Sequence, residues 1–337
     1  MTKIMILGSG GWGTALARAL CSKGYAVYLW SRREEATRAL IEKNENEKYL
    51  PGIRLDGIFF TSDIALSENA DVCILAVPSY AIRETALRLS PYIRNGQAVI
   101  SAAKGFDPES GERLSEVIAH CLPSASVSVL SGPSHAEEVA LQLPTTNVIA
   151  NKDIQEAQRI QELLTSSAFR IYASDDVIGV ELGGALKNVI ALCAGISDGY
   201  GFGDNTKAAL MTRGLSEMIR LGVAMGAKHE TFMGLSGMGD LIVTCTSMHS
   251  RNRRAGILIG QGKSAEEAEA EVGLVVEGIR AARAVHALAK ARGVEMPITE
   301  AAYHLLFEGA SAAECVRTLM GRPMKNETEK YIEGGGY

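Results

Sequence analysis

The sequence predicts an α/β N-terminal domain built on a doubly wound, mainly parallel sheet, followed by an all-α C-terminal domain. Strand patterns alternate with helical patterns up to about residue 173, which is typical of a parallel sheet covered on both faces by helices. After that point the strand patterns stop and apolar residues recur at helical spacing. A chain of 337 residues is long enough for two domains, which we place at 1–173 and 174–337.

The first strand pattern, at residues 4–7, leads directly into a glycine-rich turn and then a helical pattern from Ala15. Gly8, Gly10 and Gly13 match the spacing G-x-G-x-x-G. In that motif the first glycine makes the turn, the second leaves room for a pyrophosphate, and the third lets the helix pack close to the strand. The start of the helix then faces the anion. We therefore predict a Rossmann-type dinucleotide-binding domain.

The end of the second predicted strand, residues 26–30, bears on the choice of cofactor. A site that prefers NAD usually places Asp or Glu here to bind the ribose hydroxyls, whereas this chain has Ser31, Arg32 and Arg33. Guanidinium groups suit a 2′-phosphate, so the sequence predicts NADP as the preferred cofactor and NAD as the second. In the alternative, the arginines only decorate a helix start and Glu34 or Glu35 reaches the ribose.

Further strands are predicted at 58–61, 71–77, 98–102, 126–130, 146–150 and 169–172, with a helix at 153–164. Ligands of such folds gather at the carboxyl ends of the strands, where the segments 77–79, 103–105 and 131–136 lie. Lys104 is therefore expected near the cofactor, although a loop lysine is often simply solvated. In the second half, helices are predicted at 176–196, 205–225, 240–245, 251–259, 275–292, 298–307 and 312–320, and residues 333–337 are predicted to be a structureless tail.

Lys187 is the most unusual residue of the helical half. It lies in a helical pattern that is otherwise apolar, and Gly183 and Gly184 precede it by one turn on its own face. Glycine inside a helix costs about 0.5–1 kcal/mol relative to alanine, so backbone or ligand is expected to approach closely here. The alternative is a tight helix contact from which Lys187 reaches out to water.

Two later segments carry polar groups at predicted helix starts. Asp240 follows a glycine-rich turn with Thr244 one turn later, and its simplest role is that of a helix cap. Ser250, Arg251 and Asn252 begin the next helix, where amide groups and guanidinium forks together make a phosphate site. A run of charges is otherwise usually a solvated face.

Composition excludes several classes of protein. A net charge of -5 argues against a general nucleic-acid binder, and six cysteines occurring singly indicate reduced thiols in a cytoplasmic protein. The opening apolar run is too short for a signal peptide, and we expect no membrane-spanning run. The histidines and carboxylates lack the spacing of metal ligands, so no metal site is predicted.

Several segments together resemble those of bacterial NAD(P)-dependent glycerol-3-phosphate dehydrogenases. The matching stretches are the glycine turn at 8–15, 104–105, 131–133, 181–191, 237–246, 250–254 and 275–278, which span nearly the whole chain. The resemblance implies reversible hydride transfer between NAD(P)H and dihydroxyacetone phosphate, giving sn-glycerol 3-phosphate for phospholipid synthesis. Relatives are often dimers, so a homodimer is possible.

The resemblance also implies residue roles. Lys187 would be the general acid/base and would contact the substrate. The other substrate-binding residues would be Lys104, Gly132, Ser134, Asp240, Ser250, Arg251 and Asn252. Besides the three motif glycines, the cofactor would contact Gly11, Trp12, Arg32, Lys104, Ala136, Arg251, Val275 and Glu277.

Two other hypotheses remain open from the residues alone. A related dehydrogenase would act on another hydroxy acid or a sugar acid, which would leave Arg251 and Asn252 without a phosphate to bind. A sensor or scaffold would bind NADP without chemistry, which would leave Lys187 idle.

Overall fold

The computed structural model describes residues 1–324 and 326–327, so the predicted tail at 333–337 lies outside the described residues. The chain divides into two compact units, Met1–Val177 and Ile178–Tyr337, called here the N-terminal and C-terminal units.

The N-terminal unit is built on a sheet of eight strands, counted among the described residues. Its strands and helices are β1 (Lys3–Leu7), α1 (Gly11–Cys21), β2 (Ala26–Trp30), α2 (Glu34–Lys43), β3 (Glu45–Asn46), β4 (Leu50–Arg54), β5 (Phe59–Thr61), β6 (Val72–Leu75), α3 (Ile82–Leu89), β7 (Ala98–Ser101), α4 (Leu114–Cys121), β8 (Ser126–Ser131), α5 (Ala136–Ala140), β9 (Thr145–Ala150), α6 (Ile154–Leu164) and β10 (Phe169–Ser174). The strand order is β10-β9-β8-β7-β6-β1-β2-β5. Every pair in it is parallel except β8 with β9. The predicted mainly parallel sheet is therefore confirmed.

Strand β1 shows why these strands read as continuous apolar runs. Successive side chains point to opposite faces, so Ile4 and Ile6 join one core cluster, while Met5 and Leu7 join another. Helices α1, α2, α5 and α6 contribute to the first cluster, and α3 and α4 to the second. Because both faces are covered, the four buried positions of the strand, residues 4–7, are all apolar, and only Lys3 at its exposed start is charged.

The two central strands define where a ligand would bind. Strand β1 pairs with both β2 and β6. The chain runs outward from β1 toward β5 on one side, and from β6 toward β8 on the other. The loops after β1 and β6 therefore diverge, and this switch point of a doubly wound sheet is the usual nucleotide site.

The C-terminal unit is helical in its described residues, as predicted. Its helices are α7 (Val177–Tyr200), α8 (Asp204–Ala224), α9 (His229–Phe232), α10 (Asp240–Thr246), α11 (Arg251–Gly260), α12 (Ala265–Val272), α13 (Glu277–Arg292), α14 (Pro297–Phe307) and α15 (Ala312–Met320). Helix α7 is long and apolar enough to span a membrane, contrary to the expectation of no such run, but 94% of its apolar window is buried inside the protein. That burial is typical of a core helix.

The structure contains elements that the sequence analysis did not predict. A small hairpin joins β3 and β4, which are too short and too polar to show an apolar alternation. Helix α12 was also missed, although its capping box of Ser264 and Glu267 is a signal visible in the sequence. The same box, formed by Ser311 and Glu314, begins α15 at its predicted start.

Helices α7 and α11 cross at glycines of both helices. Gly195 and Gly199 of α7 face Gly256 and Gly260 of α11, with each pair four residues apart and so on one face. A Cβ on Gly195 would lie 2.9 Å from the Cα of Gly256. The two backbones are thus in direct contact, which fixes the start of α11 relative to the helix that carries Lys187.

Glu217 joins α8 to the start of α14. Its carboxylate accepts hydrogen bonds from the amides of Ile298 (2.6 Å) and Thr299 (3.1 Å) and from the Thr299 hydroxyl (3.1 Å). These amides belong to the first turn of α14, where backbone N–H groups have no hydrogen-bond acceptor within their own helix. Burial raises the pKa of Glu217 to about 7, although the hydrogen bonds oppose this shift.

Candidate active site

The turn after β1 requires glycine at two of its motif positions. Gly8 has φ of +121°, and a Cβ there would lie 2.8 Å from the backbone of Ala76. A Cβ on Gly13 would collide with the carbonyl oxygen of Gly8. These are the turn and the close helix packing expected from the motif.

Gly10 differs from its neighbours because a Cβ there would meet no atom within 4 Å among the described residues. Its Cα therefore borders open space, as expected where a pyrophosphate approaches the backbone closely. The turn is held by Asn46, whose amide nitrogen donates to the carbonyl of Ser9 (2.9 Å) and lies 2.8 Å from the Thr14 hydroxyl. The indole N–H of Trp12 is buried without a hydrogen-bond partner in the described part of the chain. These features fit a dinucleotide.

A cavity of about 320 Å³ adjoins this turn. Arg32 and Arg33 are among its lining residues, whereas Glu34 and Glu35 do not line it in the described part of the chain. The Arg32 guanidinium forms an exposed ion pair with Glu84 at 3.1 Å. Such a pair contributes about 0–1 kcal/mol and is easily exchanged for another anion.

Lys104, Gly132 and Ser134 are brought together at the carboxyl ends of β7 and β8. The Lys104 ammonium donates to the carbonyl of Gly132 at 2.9 Å, and the Ser134 hydroxyl donates to the same oxygen at 2.9 Å. Gly132 has φ of +146°, and a Cβ there would lie 2.7 Å from Asn147 Oδ1. Ala136, the remaining predicted residue of this segment, begins α5.

Lys187 is buried, with 6% of its surface exposed. Its Nζ lies 2.6 Å from Asp240 Oδ1 and 2.6 Å from Thr244 Oγ1. Asp240 begins α10 as predicted and is 1% exposed, so it serves as the partner of the lysine and not as a solvated cap. An ammonium held between a carboxylate and a hydroxyl is arranged to pass a proton.

Gly183 explains how Asp240 reaches this lysine. A Cβ on Gly183 would lie 2.8 Å from the backbone carbon of Ser236, in the turn that precedes α10. The close approach predicted from the glycines is thus made by backbone. The alternative in which Lys187 reaches water is wrong, because the lysine is buried against Asp240.

The start of α11 is arranged as a capped helix N-terminus. Ser250 accepts a hydrogen bond from the Arg253 amide at 3.2 Å, and Arg251 is exposed. The Asn252 side chain is committed within the protein: it donates to Asn188 Oδ1 and accepts from the Gly278 amide, both at 2.8 Å. The backbone amide of Asn252, in the first turn of α11, has no partner within its own helix and is therefore suited to an anion.

The other predicted residues lie near the start of α13, since Val275 precedes this helix and Glu277 is its first residue. Sequence reasoning left Thr244 and Asn188 out of the site. Thr244 follows Asp240 by one helical turn, and this spacing could have indicated it. No sequence pattern indicates the bond between Asn188 and Asn252.

Other features of the chain lie outside this group of residues. A cavity of about 460 Å³ lies among α8, α14 and α15, and none of the described residues lining it was predicted for the site. All six cysteines are free. The described residues contain no cluster of His, Cys, Asp and Glu suited to a metal ion.

A dinucleotide turn on a doubly wound sheet, together with a buried lysine–carboxylate pair in a helical unit, defines a nicotinamide-dependent dehydrogenase. Comparison with known proteins gives the particular family. Residues 3–157 match the family description NAD-dependent glycerol-3-phosphate dehydrogenase N-terminus, and residues 176–317 match the corresponding C-terminus. The chain belongs to the NAD-dependent glycerol-3-phosphate dehydrogenase family.

Individual relatives align with this chain over nearly their whole length. A Moorella thermoacetica protein named glycerol-3-phosphate dehydrogenase [NAD(P)+] is 53% identical, with 97% of this chain and 98% of the relative covered. A Clostridium tetani protein of the same name is 50% identical, covering 96% and 93%. The crystal structure of glycerol-3-phosphate dehydrogenase from Coxiella burnetii has a TM-score of 0.91 at 40% identity, covering 95% of this chain and 99% of that one.

These comparisons confirm the family resemblance, the fold class, the assignment as an oxidoreductase and the use of NAD or NADP. Neither alternative, a sensor without chemistry or a dehydrogenase of unphosphorylated acids, is the function named for these relatives.

Proposed function

We propose that this chain interconverts dihydroxyacetone phosphate and sn-glycerol 3-phosphate, with residues 1–173 as the dinucleotide-binding domain and residues 174–337 as the helical domain that carries the catalytic lysine. The observation that carries the proposal is the buried Lys187, held by Asp240 and Thr244. The enzyme acts in the cytoplasm as a soluble protein, with a homodimer as its proposed assembly and without nucleic acid or membrane, and it supplies glycerol 3-phosphate for phospholipid synthesis.

The reduced nicotinamide, when bound, supplies the hydride that attacks the ketone carbon. Negative charge then develops on the ketone oxygen, and Lys187 first polarises that oxygen and then protonates it. Asp240 and Thr244 fix the lysine nitrogen in one position, so no reorganisation is needed during the reaction.

The start of α11 is assigned to the substrate phosphate. Ser250 caps the helix, Arg251 supplies an exposed guanidinium, and Asn252 offers its backbone amide. Binding energy from the phosphate then positions the distant carbonyl for reaction.

The remaining assignments are those that the family resemblance implies. Lys104, Gly132 and Ser134 form one cluster and are assigned to the substrate. The residues assigned to the cofactor are Gly8, Gly10, Gly11, Trp12, Gly13, Arg32, Lys104, Ala136, Arg251, Val275 and Glu277.

The experiment that tests the proposal is product identification. The purified protein is incubated with NADPH and dihydroxyacetone phosphate, and the product is identified with a stereospecific assay. We expect one sn-glycerol 3-phosphate for each NADPH oxidised. NADPH binding without any product would contradict the proposal.

NADP is proposed as the preferred cofactor because Arg32 and Arg33 line the cavity beside the glycine turn. Replacing Arg32 with alanine is expected to raise the KM for NADPH roughly 10-fold, while the KM for NADH stays within about twofold, since only NADPH carries the 2′-phosphate. Steady-state kinetics with both cofactors measure this.

The matched control for Arg32 is Arg38→Ala, because Arg38 is an exposed arginine of α2 that pairs with Glu34. Its KM values for both cofactors should stay unchanged. Equal KM values for NADH and NADPH in the wild type would contradict the predicted preference.

A further inference from the structure

The loop that follows Lys104 contains a buried carboxylate. Asp107 is 1% exposed, although it lies in a connection between β7 and α4 and not in either element. A carboxylate is rarely buried so completely without a partner of opposite charge. A cationic group that contacts Asp107 is therefore expected to hold the loop in place.

The partner of Asp107 is Arg83, on the first turn of α3. The Arg83 Nη2 lies 2.7 Å from Asp107 Oδ2, and the same oxygen accepts from the Ser110 amide (3.1 Å) and the Ser110 hydroxyl (2.8 Å). Burial opposes ionisation of Asp107, but the hydrogen bonds from Arg83 and Ser110 outweigh it, so the pKa lies below its ordinary value. The carboxylate is charged at neutral pH.

This ion pair joins the connections that follow two neighbouring strands. Arg83 lies on α3, which comes after β6, and the Asp107 loop comes after β7, which pairs with β6 in parallel. Both connections begin at the carboxyl edge of the sheet, and the one after β6 is the neighbour of the turn after β1. Arg83 also lies 3.7 Å from a carboxylate oxygen of Glu109 and 3.7 Å from one of Glu112. One guanidinium therefore contacts three acidic residues of this loop.

The connection from Asp107 back to Lys104 is short and constrained. Gly105 has φ of +141°, and Phe106 is 6% exposed and pairs through its backbone with Arg113. A loop anchored at Phe106 and Asp107 leaves Lys104 little freedom to move. The Lys104 ammonium meets the Gly132 carbonyl at 2.9 Å in this arrangement.

We propose that Arg83 and Asp107 are positioning residues for Lys104: the ion pair between the buried Asp107 and Arg83, whose side chain is 30% exposed, fixes the loop so that the Lys104 ammonium stays beside Gly132 and Ser134. An ion pair of this kind contributes little net stability compared with well-packed apolar residues, so its role here is to select one loop conformation. This inference rests on the proposed role of Lys104 in binding substrate.

The test is a double-mutant cycle that combines Asp107→Asn with Lys104→Ala. Asp107→Asn alone is expected to lower kcat/KM for dihydroxyacetone phosphate by roughly 10- to 100-fold, the effect of displacing a catalytic-site group by about 1 Å. In the Lys104→Ala background the same substitution should have no further effect, because the group that it positions is gone.

A matched control is Asp153→Asn, which changes a capping carboxylate of α6 elsewhere in the N-terminal unit and should leave kcat/KM within about twofold. If Asp107→Asn fails to fold, Arg83→Lys replaces it in the same cycle, since lysine keeps the charge but not the fork.

The outcomes separate this inference from the proposed function. Normal activity of Lys104→Ala would overturn the role of Lys104 itself. Impaired Lys104→Ala with normal Asp107→Asn would overturn the positioning role alone. Losses that multiply in the double variant would also overturn it, because they would show that Asp107 acts independently of Lys104.

Discussion

Replacing Lys187 with methionine is expected to lower kcat by about 10³-fold or more, while the Kd for NADPH stays within about threefold. Proton transfer by a positioned side chain contributes about 10²–10⁴-fold, and methionine keeps the length of the side chain without a proton to give. Steady-state kinetics and a fluorescence titration with NADPH measure the two quantities.

This substitution needs a control for folding. Methionine would leave Asp240, which is 1% exposed, as a buried charge without its ammonium partner, at a cost of about 3–5 kcal/mol in the free energy of unfolding. The double variant Lys187→Met/Asp240→Asn removes that charge and should recover much of the stability but none of the activity. A folded variant with nearly normal kcat would contradict the role of Lys187.

Replacing Gly256 with alanine is expected to lower the free energy of unfolding by about 3 kcal/mol, or to prevent folding. The new Cβ would lie 2.8 Å from the backbone nitrogen of Ile196 and 2.9 Å from the Cα of Gly195, and closer still to the carbonyl oxygen of Leu192. These are backbone atoms, so α7 and α11 must separate to admit the methyl group. Thermal and denaturant unfolding measure the change.

The control is Gly203→Ala in the same unit. Gly203 has an ordinary negative φ of -83°, and a Cβ there would meet no atom within 4 Å among the described residues. Its free energy of unfolding should change by less than about 1 kcal/mol. If the Gly256 and Gly203 variants had equal free energies of unfolding, α7 and α11 could move apart at little cost, and the prediction would be wrong.

The sequence predicted the local structure best at positions where only one residue type fits the backbone geometry. Gly8 and Gly13 are required by the turn itself, so spacing alone predicted their geometry. A lysine in an apolar helix needs a partner, and the structure supplies Asp240, for which the sequence predicted a helix cap or a substrate contact. The pattern of glycines also predicted a close approach at Gly183, although not that the approaching group is the turn before α10.

Long-range pairings could not be predicted in this way. Nothing near Asp107 in the sequence indicates Arg83, because β7 lies between the two residues along the chain. The Asn252 side chain bonds to Asn188 and the Gly278 amide, and no sequence pattern indicated either partner. Such contacts depend on how helices cross, and an amide side chain has several possible partners in any sequence.

The central claim is that this chain reduces a phosphorylated ketone, and the ratio of kcat/KM for dihydroxyacetone phosphate to that for dihydroxyacetone tests it most directly. NADPH absorbance is followed with each substrate under the same conditions. We expect a ratio of about 10³ or more, because two or three charge-assisted hydrogen bonds at about 1.5–3 kcal/mol each act on the phosphate. A ratio near one would contradict the phosphate site at Ser250, Arg251 and Asn252 and the proposed function with it.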